Sequence, residues 1–312
     1  MCAQKRRKQG GSLKGFIVLM LIVAGSIYLY QQQTHIRQLP QAEQPAAKPQ
    51  ENFGNVKAQS PEAPVKKDFP SASASRKPTV KPSEALEIPV TLSKRDERIL
   101  KRTGYTASYN SYYKTPNWVG WELTRKETKG KNVRINRFSP DPDLPEPRVE
   151  HADYTHSGYD RGHMAPAADM KWSQKAMAES FYMSNVCPQN QKLNRDDWND
   201  LEETCRQWAK KFGTVYIVCG PIYDSKQPRR IGKHQVAVPD RFFKVVLINN
   251  RKNPVAMGFI FPNRAHHQKL ERYMVSVDSV EKTTGLDFFS KLPDAVEEKI
   301  EAAVPQLPST AN

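Results

Sequence analysis

Thiolate chemistry has little material to work with in this chain. Its 312 residues include four cysteines, Cys2, Cys187, Cys205 and Cys219, and no Cys-x-x-Cys pair, which speaks against a thiolate zinc site. None of the four sits in a recognisable nucleophile context, which speaks against cysteine catalysis. They read as small buried hydrophobes, with one disulfide as the alternative. No internal repeat is present, so the chain is not an array. Acidic residues are outnumbered, 33 against 48 Lys and Arg, but unevenly. Residues 1–92 hold 13 basic and 6 acidic side chains, and the remainder 35 and 27. The larger part is therefore only moderately basic, which suits a polyanionic partner and equally an ordinary solvated surface.

The N-terminus places Lys5-Arg6-Arg7-Lys8 and Lys14 before an uncharged run from Gly15 to Tyr30. That pattern predicts a basic cytoplasmic segment over 1–14 and a transmembrane signal anchor over 15–30, with a cleavable signal peptide as the rival. A mitochondrial presequence fits less well, because the run is too apolar and too weakly amphipathic. An anchor of this kind puts the following domain on the non-cytoplasmic side, periplasmic or extracellular in a bacterium. Residues 31–86 are rich in Gln, Pro, Ala, Ser and Lys and cannot bury enough surface to offset their ordering entropy, so they read as a disordered tether. The foldable domain is expected over 87–294, with a tail over 295–312.

Within it, strands are expected at Tyr105–Tyr109, Trp118–Thr124, Val215–Val218, Phe242–Ile248 and Val255–Phe261. Helices are expected at Gln174–Phe181, Asn194–Phe212 and His266–Tyr273. The second opens with Asn194 as candidate N-cap and Asp196-Asp197 in its first turn, favourable against the helix dipole.

Two polar clusters carry the chemistry. Asp160-Arg161-Gly162-His163 sets a histidine beside an arginine on a turn that glycine permits, able to deprotonate water next to a phosphate. Asn194 and Glu202 lie eight residues apart, about two helical turns, and together can hold a hydrated divalent cation. Asp160 either braces its loop or reaches the metal shell, and Arg161 either pairs with phosphate or makes a structural ion pair. These parts point to metal-assisted phosphodiester cleavage.

At these residues the chain resembles the DNA/RNA non-specific endonucleases of the ββα-metal class. The resemblance runs from about Glu87 to Asp294 through Gly104-Tyr105-Thr106 with Trp118-Val119, Tyr159 to Pro166, Ser184 to Glu203, Val238-Pro239 with Phe242-Phe243-Lys244, and Thr284-Gly285. It implies an α+β fold, a central antiparallel sheet flanked by helices with a ββα-metal finger. The finger's second strand would lead out of the Asp160–His163 region, and its helix would begin at Asn194.

The same resemblance implies that His163 is the general base and that Asn194 ligates Mg2+ directly, with Mn2+ able to substitute. Glu202 would reach the metal's water shell, and Asn185 and Gln189 would shape the site. An upstream arginine would stabilise the transition state; Arg134, four residues before Phe138, fits that spacing, and Arg137 is its rival. DNA and RNA are the implied partners, with 5′-phosphate products. A membrane-tethered nucleic-acid-binding protein with a weak or dead site is the alternative, and a phosphodiesterase for small nucleotides a third reading.

Overall fold

The computed structural model describes residues 85–250 and 253–310. The expected basic segment, anchor and nearly all of the tether lie outside the described residues.

Seven antiparallel strands form the central sheet. In chain order its members are β1 (Arg98–Lys101), β2 (Thr106–Asn110), β3 (Thr115–Thr124), β6 (Thr214–Ile222), β7 (Arg241–Ile248), β8 (Val255–Pro262) and β9 (Met274–Val275). Two further strands, β4 (Asp160–His163) and β5 (Val186–Gln189), pair with each other outside it. The order across the sheet is β9-β8-β7-β6-β3-β2-β1. Strands β6 and β7 are buried along nearly their whole length, because both sheet faces are covered; such strands read as continuous apolar runs rather than alternating ones.

Their residues still divide by parity. Val215, Ile217, Cys219, Phe242 and Val246 face one core together with Trp198, Leu201, Cys205 and Trp208. Tyr216, Val218, Phe243, Val245 and Leu247 face the other, with Val277, Val280, Phe288 and Phe289.

Five α-helices lie among the described residues: α1 (Gln174–Glu179), α2 (Gln191–Arg195), α3 (Asp197–Phe212), α4 (Val277–Thr284) and α5 (Asp294–Glu301). The buried residues of α3 include Trp198, Leu201, Cys205 and Trp208, at the spacing of one helical face. Asp197 and Asp200 in its first turn and Lys210 and Lys211 in its last complement the dipole. Helix α4 is capped by the Ser276 side chain at one end and by left-handed Gly285 at the other, which gives the Thr284-Gly285 pair a structural reason.

The five expected strands all form, with shifted ends, but two of the helix expectations need correction. The run Asn194–Phe212 is two helices, broken at Asp196, whose backbone (φ −106°, ψ −99°) leaves the helical region. Asn194 is therefore not an N-cap; that role belongs to Asn190, whose side chain accepts from the Lys192 and Leu193 amides. The segment His266–Tyr273 is not a helix but a loop ending in a single turn over Leu270–Arg272. Buried Asp197 draws it into that shape, accepting from the Gln268 amide and from the Tyr273 hydroxyl.

Among the described residues no helix is long and apolar enough to cross a membrane. The longest, α3, has 16 residues and one polar face.

Candidate active site

A 520 Å³ cavity lies where the β4–β5 pair meets α2 and α3. Strand β4 runs antiparallel to β5, with Asp160 opposite Gln189 and His163 opposite Val186. The finger is thus built from β4, β5 and the α2–α3 pair. Its second strand is β5, which follows β4 after an excursion through α1.

Gly162 is required at its position. A Cβ there would come within 2.6 Å of Gln189 Cβ and 2.9 Å of its Cδ. Gln189 is fully buried, packed against this backbone rather than lining the cavity. Asn185 is also fully buried, and its amide is spent on the main chain. Its Oδ1 accepts from the Ala165 amide at 2.9 Å, and its Nδ2 donates to the Ala165 and Ser180 carbonyls. Both residues fix the backbone on either side of His163; neither meets the cavity directly.

His163 lines the cavity at its apolar end, between Phe181 (centroids 4.9 Å apart) and Phe138 (5.1 Å). Its Nε2 is buried without a hydrogen-bond partner. Burial, and then the Arg134 charge, push its pKa down to about 3, so the imidazole is neutral at physiological pH. Arg134 lines the same cavity, its guanidinium 5.4 Å from the Phe181 ring centre and its Nε on Asn136 Oδ1. Arg161 stacks over Phe138 at 5.2 Å, with Nη1 3.4 Å from His151 Nε2. Arg137 does not line the cavity, whereas Arg134 and Arg161 do.

Asp160 Oδ2 accepts from Asn194 Nδ2 at 3.0 Å, and the same carboxylate takes a two-pronged contact from Arg195. That contact commits the nitrogen side of the Asn194 amide and leaves its oxygen for another ligand. Asp160 is thereby a brace for Asn194. Glu202 enters the cavity from α3, and burial raises its pKa to about 7 against the opposing pull of Lys244. Asn194 and Glu202 do share one cavity, although a helix break separates them.

Lys244 stands in one of the blocks that carry the family resemblance, with no role assigned to it there. It is fully buried on β7, on the sheet face that α3 covers, with Nζ 3.9 Å from Glu202 Oε1 and 3.9 Å from the centre of the Trp198 ring. A lysine inside the apolar run Phe242 to Ile248 was the signal, since a buried charge needs a partner. Buried Asp169 with half-buried Arg206, 3.0 Å apart, and Asn199 on the cavity wall carried no signal in the sequence. Cys187, Cys205 and Cys219 are all free and buried; burial raises the thiols of Cys205 and Cys219 to about 12. The small-hydrophobe reading fits them.

The family model for DNA/RNA non-specific endonucleases matches residues 82–295. Nuclease EXOG, mitochondrial, of Danio rerio is 40% identical over 208 residues, covering 61% of this chain and 60% of the relative. The mitochondrial nuclease of Saccharomyces cerevisiae is 37% identical over 215 residues, 62% of this chain and 65% of the relative. The chain thus matches only about three-fifths of the length of such relatives. A crystal structure of the EndoG/EndoGI complex superposes with a TM-score of 0.60 at 31% identity, covering 63% of this chain and 87% of that one.

These matches overturn the location expected from the N-terminal run, a membrane-anchored domain on the non-cytoplasmic side. The zebrafish and budding-yeast relatives are mitochondrial by name. Sheet, finger and cavity agree with the sequence match, and the chain belongs to the DNA/RNA non-specific endonuclease family.

Proposed function

We propose that the chain is a magnesium-dependent, sequence-non-specific endonuclease that hydrolyses phosphodiester bonds of DNA and RNA. The observation that carries this reading is the convergence of His163, Arg134, Arg161, Asn194 and Glu202 on one cavity. The donor set fits a hard cation. Asn194 has its amide oxygen free of the Asp160 contact, Glu202 adds a carboxylate, and no cysteine lines the cavity. Oxygen donors few in number suit Mg2+, which keeps most of its water, with Mn2+ as a substitute. Asn194 would hold it directly and Glu202 through water. A cation held there by Asn194 and Glu202 would supply charge stabilisation for the leaving 3′ oxygen and an acidified water to protonate it.

The protein's own groups do the rest. Arg134 and Arg161 bind the phosphate through its charge, which carries no sequence information. His163 accepts the proton of the attacking water. Its proton affinity is low in the free protein because burial and Arg134 both oppose the charged form. A phosphate seated on Arg134 offsets that charge, so the base strengthens when substrate is present. Attack by external water gives the 2′-hydroxyl no chemical role, which supports action on both DNA and RNA with 5′-phosphate products.

The test is degradation of plasmid and of RNA by the full chain, in EDTA and with magnesium or manganese restored. Activity on both substrates that vanishes in EDTA is expected; full activity in EDTA would remove the metal from the reading. Binding without cleavage under every metal condition would make the chain a nucleic-acid-binding protein with a dead site.

A further inference from the structure

On the opposite sheet face from α3, a second cavity of 620 Å³ opens among α4, α5 and the strand Leu286–Asp287. Seven carboxylates and no lysine or arginine line it. Three of them, Asp278 and Glu281 on α4 and Glu301 at the end of α5, each offer an oxygen within 4.8 Å of the others. None of the lining residues is shared with the catalytic cavity.

A cluster of acids on a surface is ordinarily just solvated, but Glu301 is not on the surface. It is 5% exposed, and its Oε1 is buried with no hydrogen-bond partner. Burial, then Glu281, Glu297, Asp287 and Asp278, push its pKa up to about 9. Protonation alone would remove the charge yet leave that buried oxygen unsatisfied, a costly outcome. A cation satisfies both demands, supplying charge and coordination to the same atom. Glu281 is already oriented, because its Oε1 accepts from the Phe288 amide at 2.8 Å. The three acids therefore sit on two helices, α4 and α5, rather than on free loops.

From this arrangement we infer that Asp278, Glu281 and Glu301 form a second divalent-cation site, separate from catalysis, that takes Ca2+ and ties α4 to α5. Calcium fits better than magnesium. It accepts six to eight oxygens at about 2.3–2.6 Å in flexible geometry, so two of its ligands can lie about 4.8 Å apart. Magnesium, at about 2.0–2.1 Å, holds its ligands closer and resists giving up water. The additional carboxylates of Asp287, Asp294 and Glu297 raise the local negative potential that draws the ion in.

The experiment uses the full chain stripped with EDTA, titrated with Ca2+ by equilibrium dialysis, and compared with the double variant Glu281→Gln/Glu301→Gln. The wild type should bind one more Ca2+ per chain than the variant. Its Tm should rise by roughly 5–10 °C at about a hundredfold excess over Kd, a rise the variant lacks. Equal stoichiometry and equal Tm rise in both proteins would overturn the site, and an equal rise with Mg2+ would overturn the calcium assignment. Should the double variant fail to fold, exposed Asp278→Asn must still weaken Ca2+ binding at least tenfold; an unchanged Kd overturns the inference.

Discussion

Lys244 stands on the buried side of Glu202, its Nζ 3.9 Å from Oε1 and without a hydrogen bond of its own. The pair is asymmetric: Glu202 reaches the cavity and Lys244 does not. Lys244 holds down the pKa of a carboxyl that burial lifts to about 7. Replacing it by methionine keeps the packing against Trp198 and removes that pull. The Glu202 pKa must then rise, and the pH above which the carboxylate is available to the metal's water shell rises with it. For each unit of displacement, activity on the acid side should fall about tenfold while the alkaline plateau is kept. A kcat/KM profile of Lys244→Met that overlays the wild type would reduce Lys244 to packing.

The contact between Asp160 and Asn194 makes a prediction about metal affinity. A group that orients a metal ligand typically accounts for about 10–100-fold in affinity or activity. Asp160→Ala frees the Asn194 amide to rotate, so the magnesium concentration for half-maximal cleavage should rise by about that factor. Activity at saturating magnesium should recover in large part. Asn194→Ala should not be rescued in this way. If the two variants respond alike to magnesium, Asp160 is itself a ligand or neither residue holds the ion.

Most of this site could be read from residue order, and the reason is local. Asp160 to His163 form one strand, and Asn194 and Glu202 lie on the adjoining helices α2 and α3, so short separations along the chain keep each group close in space. Parts that depend on distant contacts could not be read. The break at Asp196 interrupts a segment, Asn194 to Phe212, whose composition suits continuous helix. The loop at His266 follows Asp197, some seventy residues upstream. Asn185 looks like a site residue because it precedes the finger helix, yet its amide closes on Ala165 across the β4–β5 pair. Lys244 looks like an ordinary strand residue until the far sheet face is known to be covered.

Gly162 tests the finger's geometry. Gly162→Ala forces the Gln189 side chain, fully buried, to move away from Cβ and Cδ contacts of 2.6 and 2.9 Å. Overpacking of this kind typically costs about 1–3 kcal/mol, and here it displaces the residue that precedes His163. A lower Tm and a larger loss in kcat than in substrate binding are expected. A variant with wild-type Tm would mean that Gln189 swings clear without strain.

His163, the proposed base, also bears on acid stability. Its folded pKa of about 3 lies below the unfolded value of about 6.5, so the unfolded chain binds the extra proton first. Stability from this group is full above about pH 6.5 and is lost progressively as pH falls toward 3. His163→Phe should therefore flatten the Tm-against-pH curve in that window, while His163→Ala should cost about 10²–10⁴-fold in cleavage with nucleic-acid binding retained. An unchanged acid slope in the phenylalanine variant would mean the imidazole is not buried neutral.

Arg134 and Arg137 are three residues apart, and only the first lines the cavity. If Arg134 meets the phosphate and the charge that builds on it, Arg134→Ala should lower kcat by about 10²–10³-fold, the range for losing one preorganised donor to a transition state. Removing its charge also removes one of the two influences that depress His163, so the acid sensitivity of stability should lessen in the same variant. Binding should become less salt-dependent, the slope of log K against log salt dropping by about 0.9 for duplex DNA. Arg137→Ala should do none of these. Equal losses in kcat from both variants, with equal changes in salt slope, would assign the transition-state arginine to neither and leave Arg161 to take that role alone.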